Sequence, residues 1–195
     1  MFDKFKDHKI FLASNSPRRR EIMKLIRLPF TSVSLEGIDE NYPENLPLHE
    51  IPLFIAHKKS DAYLRHLSET DIVITADTMV ICENRIMGKP SDIDEAKDML
   101  RFLSGRTHQV STGVCIATSS HKSSFITVSD VSFSKITDDE INYYVDNFHP
   151  LDKAGAYGIQ EWIGAVAVSS IKGSFYNVMG LPIHQLYEEL KRFPL

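Results

Sequence analysis

The order of hydrophobic and polar positions predicts a chain of alternating strands and helices. Ile72–Ala76 is a continuous apolar run, which is typical of a strand buried on both faces. The run stops at "ADT", and the strand pattern resumes over Met79–Cys82. Further strands are predicted at Ile10–Ala13, Phe30–Val33, Thr107–Thr118, Ser124–Lys135 and Ala165–Ile171, the third and fourth of these pairing around a polar turn.

Helix signals separate these strands. Ser16 is a suitable N-cap and Pro17 suits the first helical position, so a helix is predicted to start there. Two more starts carry capping-box patterns, one at Asp92 with Glu95 and one at Thr137 with Glu140. Apolar spacing places the inward side of the Asp92 helix at Ile93, Ala96, Leu100 and Leu103, and predicts two more helices over His49–His66 and from Pro182 onward. Interleaved helices and strands with at least one hairpin favour an α/β fold with a mixed sheet.

Composition excludes several classes of protein but does not identify the function. The chain has 195 residues, 43% hydrophobic and 25% charged, which suits one soluble globular domain. Its net charge of −4 argues against a binder of nucleic acid polymers. Neither Cys82 nor Cys115 has the spacing of a metal site, so a reduced, cytoplasmic setting is expected. No signal peptide or membrane-spanning apolar run is recognised, so no membrane association is expected.

The first helix begins with an electrostatic conflict. Its first turn carries Arg18, Arg19 and Arg20, although a helix N-terminus favours acids by ~0.3–1 kcal/mol each. Free backbone N–H groups, with Ser14 and Ser16 beside them, could bind a phosphate group that removes the repulsion. The alternative is a solvated basic surface, which is the usual role of a run of charges.

Acidic residues offer candidates for a base or a metal site. Asp77 ends the buried Ile72–Ala76 run, where a carboxylate is costly unless it is paired. It could act as a general base or metal ligand, or simply bond local backbone at a turn, through Thr78 or beyond. One acid of a polar, proline-bearing loop could join it around a magnesium ion, although a solvated loop explains most of these acids: Glu36, Asp39, Glu40 and Glu44.

Three further positions carry weaker signals. Lys59 and Lys89 are single lysines, and Lys89 lies in "GKP", where glycine allows a close backbone approach to a ligand. Gln160 ends the glycine-rich stretch "LDKAGAYGIQ" and could read the edge of a base by two hydrogen bonds. The alternatives are surface lysines and a tight connection into the last strand.

Taken together, these segments resemble the Maf family of nucleoside triphosphate pyrophosphatases. The matching pieces appear in family order from Leu12 to Ile183: "LASNSPRRREIM", "GIDE", the lysine of "AHKKS", "ADTMV", "GKPSDIDEAKDMLRFLSGRTHQVSTGV", "DKAGAYGIQ" and "GSFYNVMGLPI". The resemblance implies one domain over residues 1–195, an elongated mixed sheet flanked by helices with two lobes around a central cleft, as in inosine triphosphate pyrophosphatases. It also implies a cytoplasmic enzyme, often a homodimer, that uses Mg²⁺ or Mn²⁺ to hydrolyse a nucleoside triphosphate to the monophosphate and pyrophosphate.

The resemblance also assigns roles by position. Asp77 corresponds to the proton acceptor that activates water, and Glu40 and Asp77 to metal ligands. Contacts with the triphosphate are implied for Ser14, Arg18, Arg19, Lys59 and Lys89. Arg18, Thr78 and Gln160 match members acting on dTTP and UTP, whereas members acting on 7-methyl-GTP differ at all three positions.

Departures from the family pattern are modest. Lys58 and Ser60 stand where an acid and an alanine are frequent, and Glu161 where a glycine is common. Two alternatives stay open: a non-catalytic nucleotide-binding regulator of cell division, and a pyrophosphatase for modified or purine triphosphates.

Overall fold

A computed structural model describes residues 2–34, 36–65 and 68–195. The strands are β1 (Ile10–Ala13), β2 (Thr31–Val33), β3 (Ile72–Cys82), β4 (Arg85–Met87), β5 (Thr107–Ala117), β6 (Lys122–Phe133) and β7 (Val168–Lys172). The helices are α1 (Pro17–Lys24), α2 (Ile51–Leu64), α3 (Ile93–Leu103), α4 (Asp138–Phe148), α5 (Trp162–Val166), α6 (Phe175–Met179) and α7 (Ile183–Arg192). Short 3₁₀ helices lie at Asp3–Phe5, Leu48–Glu50, Pro150–Asp152 and Ala154–Ala156.

The strands form one mixed sheet in the order β2-β1-β3-β5-β6-β7, with β4 paired to β3. Strand β1 runs parallel to both β2 and β3, whereas β3 with β4 and β6 with β7 are antiparallel. The register of β1 on β3 pairs Ile10 with Ile72 and Ala13 with Thr75. The predicted α/β class with a mixed sheet is confirmed.

The chain divides into two compact units. The first comprises the described parts of Met1–Asp77, Thr112–Thr127 and Gly180–Leu195, and the second comprises Thr78–Ser111 and Val128–Met179. Strands β3, β5 and β6 each contribute residues to both units.

Each unit has its own buried apolar residues. In the first unit, small side chains of β1, α2, β3 and β5 pack together: Ala13, Ala56, Val73, Cys115 and Ala117. In the second unit, α3 and α4 contribute Leu100 and Tyr144 to a larger core, and both residues are fully buried. Burial of a large apolar side chain contributes about 1.5–3 kcal/mol, so these residues stabilise the helices in place.

Several element boundaries differ from the predicted ones. Strand β3 does not stop at "ADT" but continues from Ile72 to Cys82, because the Asp77 carboxylate has a partner that offsets the cost of partial burial. Residues 165 and 166 belong to α5 rather than to the last strand, and α6 was not predicted. The predicted helix over His49–His66 is observed as a 3₁₀ turn followed by α2, and His66 lies outside the described residues.

Helix α3 also departs from its prediction in two details. Asp92 accepts a hydrogen bond from Glu95 N, but the Glu95 carboxylate accepts from Ser91 N instead of Asp92 N, so the capping box is shifted by one residue. Ile93 is 40% exposed because it occupies the first helical position, whereas the buried side of the helix begins one turn later at Ala96.

No helix in the described ranges combines the length and the hydropathy that crossing a bilayer requires.

Candidate functional site

Asp77 lies on β3 at the last position of the first unit. The preceding residues Ile72–Ala76 are all buried, and Asp77 is the first partly exposed residue of the strand. Two residues earlier, the buried Thr75 hydroxyl donates to the Ala56 carbonyl of α2 at 2.7 Å. This hydrogen bond fixes α2 along β3, so the residues that follow Ala56 by one helical turn face the Asp77 end of the strand.

Helix α2 can lie this close because of a glycine on β5. A Cβ atom at Gly113 would stand 2.2 Å from the backbone nitrogen of Leu53, where no side chain fits. Ile51, Ile55 and Ala56 are buried on the same helix and hold it in place. The close packing therefore places Lys59 where its side chain reaches β3.

Lys59 joins two carboxylates. Its Nζ donates to Asp77 Oδ1 at 2.7 Å and lies 2.8 Å from Glu40 Oε1. The side chains of Lys59 and Asp77 are only 15% and 16% exposed, whereas Glu40 is 56% exposed. One ammonium group thus fixes a sheltered acid and a solvent-facing acid within two hydrogen-bond lengths of each other.

The loop that carries Glu40 has a second anchor on α2. Lys58 Nζ donates to Asp39 Oδ2 at 2.9 Å and to the Asn41 carbonyl at 3.0 Å. The backbone N–H of Asn41 and the Lys58 ammonium hold the pKa of Asp39 below its ordinary value. Adjacent lysines of α2 therefore bind adjacent acids of the loop, which separates Asp39 from the Asp77 cluster and places Glu40 within it.

The start of α1 has the predicted cap. The Ser16 side chain accepts from Arg19 N at 3.4 Å, Pro17 occupies the first turn, and no acid is present in that turn. Buried Ser14 accepts from Ser16 N at 3.2 Å, which shapes the connection from β1 into the helix.

Arg19 binds backbone on two sides. Its Nη1 donates to the Ala76 carbonyl at 2.8 Å and its Nε donates to the Gly180 carbonyl at 2.7 Å. Ala76 immediately precedes Asp77, so this guanidinium braces the strand where the carboxylate projects.

The same guanidinium belongs to the electrostatics of the Asp77 cluster. Burial lowers the pKa of Arg19, and the charge of Arg18 adds to this lowering, while Asp77 and Glu40 oppose it. The like-charge repulsion expected at the start of α1 is therefore present, and nearby carboxylates compensate part of it.

The remaining predicted site residues belong to the second unit. Thr78 follows Asp77 on β3, Lys89 is exposed in the loop after β4, and Gln160 is exposed just before α5. Gly155 N donates to the Gly88 carbonyl at 3.0 Å, so the "GKP" and "DKAGAYGIQ" segments are joined through their backbones.

Several supporting residues were missed by the sequence interpretation. Thr75 looked like an ordinary strand residue, and Lys58 was noted only as a departure from the family pattern. In the second unit, Lys153 and Tyr144 both contact Glu161 beside Gln160. The sequence shows only that Lys153 lies within the glycine-rich stretch. Its burial, which requires a partner, is visible in the structure alone.

In the described part of the chain, no group of three or more histidine, cysteine, aspartate or glutamate side chains could hold a metal ion. The Glu40–Asp77 pair consists of oxygen ligands, which suit Mg²⁺ or Mn²⁺. Each carboxylate has one oxygen within 2.8 Å of the Lys59 ammonium, which leaves the second oxygen of each for a cation. The donor chemistry therefore fits a cation that takes further ligands from water or a bound phosphate.

Comparison with known families gives a match over nearly the whole chain. Residues 9–193 match the model of the family described as "Maf-like protein".

Relatives from several bacteria cover almost the full length. A protein of Phocaeicola vulgatus named dTTP/UTP pyrophosphatase is 48% identical over 192 residues, which cover 98% of this chain and 100% of that protein. One from Bacteroides fragilis strain YCH46 with the same name is 51% identical over 185 residues, covering 95% and 96%. Among solved structures, the Staphylococcus aureus Ham1 protein aligns with a TM-score of 0.43 at 18% identity, covering 64% of this chain and 71% of its own.

Proposed function

This chain belongs to the Maf-like protein family, and on that premise we propose that it hydrolyses nucleoside triphosphates, dTTP and UTP above all, to the monophosphate and pyrophosphate. The relatives that are about half identical over nearly their full length are named for this activity. Arg18, Thr78 and Gln160 agree with the dTTP/UTP pattern.

One observation of the structure carries the proposal. Lys59 holds Asp77 and Glu40 together at the point where β3 leaves the first unit. A sheltered carboxylate next to a second acid and a cationic side chain is suited to moving a proton from water beside a polyphosphate. A purely structural ion pair would not need Glu40, which is mostly exposed.

A divalent cation, Mg²⁺ or Mn²⁺, would be held by Glu40 and Asp77. When bound, it would neutralise charge on the phosphate oxygens and lower the pKa of a bound water.

The side chains of the first unit supply the remaining chemistry. Asp77 accepts the proton of the attacking water, and because Oδ1 is bonded to Lys59, we assign the proton to Oδ2. Lys59 keeps the carboxylate in one orientation and places a positive charge beside the triphosphate. Arg19 braces Ala76 and so maintains the direction in which Asp77 projects.

Contacts with the substrate are proposed for single residues, as the resemblance to the family implies. Ser14, Arg18, Arg19 and Lys59 are proposed to contact the triphosphate, and the same role is proposed for Lys89. For Arg19, the two bonds to backbone carbonyls argue for a positioning role beside any phosphate contact. Thr78 and Gln160 are proposed to select the base. Action in the cytoplasm and assembly as a homodimer remain predictions.

The test is release of pyrophosphate from a panel of triphosphates with Mg²⁺, including dTTP, UTP, CTP, 7-methyl-GTP and ITP. We expect activity on dTTP and UTP that chelation of the cation abolishes. Asp77→Asn should lower kcat by at least about 10²-fold, the contribution of one general base. Asp39→Asn is the matched control, because it removes a neighbouring carboxylate that pairs with Lys58 instead, and it should retain activity.

Two outcomes would contradict the proposal. Binding of nucleotides without release of pyrophosphate would favour a regulator of cell division. Preference for ITP or a modified triphosphate would retain the reaction class but overturn the substrate assignment.

A further inference from the structure

A network of side chains in the second unit holds the residue that follows Gln160. Glu161 Oε1 lies 3.2 Å from Lys153 Nζ, and Glu161 Oε2 accepts a hydrogen bond from the Tyr144 hydroxyl. The Tyr144 oxygen in turn accepts from Gly158 N at 3.0 Å. Both oxygens of the Glu161 carboxylate are therefore engaged, so the group has one orientation.

The network is rigid because it is largely buried. The side chain of Lys153 is 8% exposed, that of Glu161 is 20% exposed, and Tyr144 is fully buried within the core. Burial and the Glu161 charge raise the pKa of Tyr144, so its hydroxyl remains protonated and donates at neutral pH. Removing one partner of such a buried network leaves the others unpaired, which is costly.

Gln160 is attached to this network through its amide. Its Nε2 lies 3.5 Å from Glu161 Oε1, at the long end of a hydrogen bond. A carboxylate only accepts, so the amide nitrogen must face it, and the reverse orientation would bring two oxygens together. A Cβ at Gly158 would lie 2.7 Å from Glu161 Cδ and 2.9 Å from Gln160 Nε2, so both side chains use the space above this glycine.

We propose that Glu161 is a positioning residue that fixes the amide orientation of Gln160 and thereby selects uracil and thymine over cytosine. This inference rests on the proposed function, in which Gln160 contacts the base.

The selection follows from hydrogen-bond complementarity. With Nε2 turned toward Glu161, the Gln160 oxygen accepts the N3–H of uracil or thymine, and the second Nε2 hydrogen donates to a neighbouring carbonyl of the base. Cytosine has an unprotonated N3 and an amino group, which require the reversed amide. Reversal would place Gln160 Oε1 against the Glu161 carboxylate, so cytosine meets an opposed donor and acceptor pattern.

The test compares kcat/KM for UTP and CTP in the full-length protein and in Glu161→Gln. A glutamine at this position can donate or accept, so the Gln160 amide turns without penalty. We expect the UTP-to-CTP ratio to fall by about tenfold, within the discrimination that a bidentate side chain provides. The loss of discrimination should appear as a higher KM for UTP and a lower KM for CTP. The value of kcat should change little, because Asp77 and Lys59 are unaltered.

Glu140→Ala is the matched control. It removes a carboxylate from the start of α4, the helix that carries Tyr144, and should lower stability without changing the UTP-to-CTP ratio. A ratio that changes equally in both variants would indicate a general loosening and would overturn the inference.

A second variant keeps the inference testable if Glu161→Gln does not fold. Tyr144→Phe retains the ring but removes one anchor of the carboxylate, and it should lower the ratio in the same direction by a smaller factor. An unchanged ratio in a folded variant that still hydrolyses UTP overturns the role of Glu161. Failure of the wild-type protein to hydrolyse any pyrimidine triphosphate would instead overturn the proposed function itself.

Discussion

Helices α1 and α4 begin in opposite ways. Thr137 caps α4 in a complete capping box with Glu140, and all three residues of its first turn are acids. Ser16 also caps α1, but its first turn contains Arg18 and Arg19 and no acid. The first arrangement satisfies the helix dipole, whereas the second opposes it.

The opposite charges at the two helix starts indicate two different roles, one in stability and one in the candidate site. The charges of α4 serve the stability of the second unit. The charges of α1 serve the candidate site instead. Arg19 braces Ala76 through a hydrogen bond to its carbonyl, and Arg18 is proposed to bind a triphosphate. Carboxylates such as Asp77 and Glu40 offset part of the positive charge at the start of α1, and the proposed triphosphate would offset the rest.

The largest effect is expected from Arg19→Met. This change leaves the Ala76 and Gly180 carbonyls without their guanidinium donor, so the free energy of unfolding should fall by about 3–4 kcal/mol and pyrophosphate release should be lost. Denaturant unfolding and an activity assay measure the two effects. Arg20→Met is the control, because Arg20 makes one long contact to the Asn15 carbonyl, and it should change stability by less than about 0.5 kcal/mol. Equal effects of the two variants would refute the bracing role.

Lowering the pH should reduce the free energy of unfolding by a slightly smaller amount, through a histidine in the unit that contains α4. Burial lowers the pKa of His108 to about 4, and its Nε2 pairs with the Tyr157 hydroxyl at 2.8 Å. Histidine in the unfolded chain therefore binds a proton more readily than His108 does in the folded protein. The free energy of unfolding is highest above about pH 6.5 and falls by about 3 kcal/mol as the pH drops toward 4.

His108→Gln tests this pH dependence, because glutamine keeps a hydrogen-bonding group near Tyr157 but does not titrate. Between pH 6.5 and 4.5 its unfolding free energy should decline less than that of the wild-type protein. Part of the decline should remain, because burial also lowers the pKa of His57. The same slope in both proteins would assign the effect to other groups. Glu140 and Asp92 have lowered pKa values through backbone hydrogen bonds, so their losses occur at lower pH.

Thr137→Ala tests whether the start of α4 serves stability alone. It removes the cap and one half of the capping box, which costs about 1 kcal/mol of stability. The value of kcat/KM for UTP should not change, because α4 supplies no residue that contacts substrate in the proposed mechanism. A parallel loss of activity would show that the α4 start also serves the site.

The smallest change in stability is expected from Arg18→Ala. Its removal relieves repulsion with Arg19 and with the dipole, so the melting temperature without ligand should stay the same or rise slightly. Inorganic pyrophosphate should raise the melting temperature of the wild-type protein more than that of the variant. A large loss of stability without ligand would contradict the anion-binding interpretation of this helix start.

Much of the fold was predictable, and much of the supporting structure was not. Ser16 with Pro17 and Thr137 with Glu140 are signals between residues at most three apart, and both helix starts were located correctly. The predicted interruption of β3 at "ADT" was wrong, since the polarity of Asp77 was taken as a break although Lys59 compensates it. Helix α6 is too short to show periodicity.

By itself, the sequence determined the caps, the buried strand that leads into Asp77 and the family. The caps and the strand depend on residue type and on near neighbours, and the family depends on short segments that can be read one by one along the chain. Only the tertiary structure decided which acid joins Asp77, what Arg19 binds and how Gln160 is held. The backbone partners of Arg19 lie 57 and 161 residues away in the sequence. Lys59 forms its ion pair with Glu40, whereas the adjacent Lys58 pairs with Asp39. Such choices depend on the packing of α2 against β3 through Thr75 and Gly113, which no local pattern records.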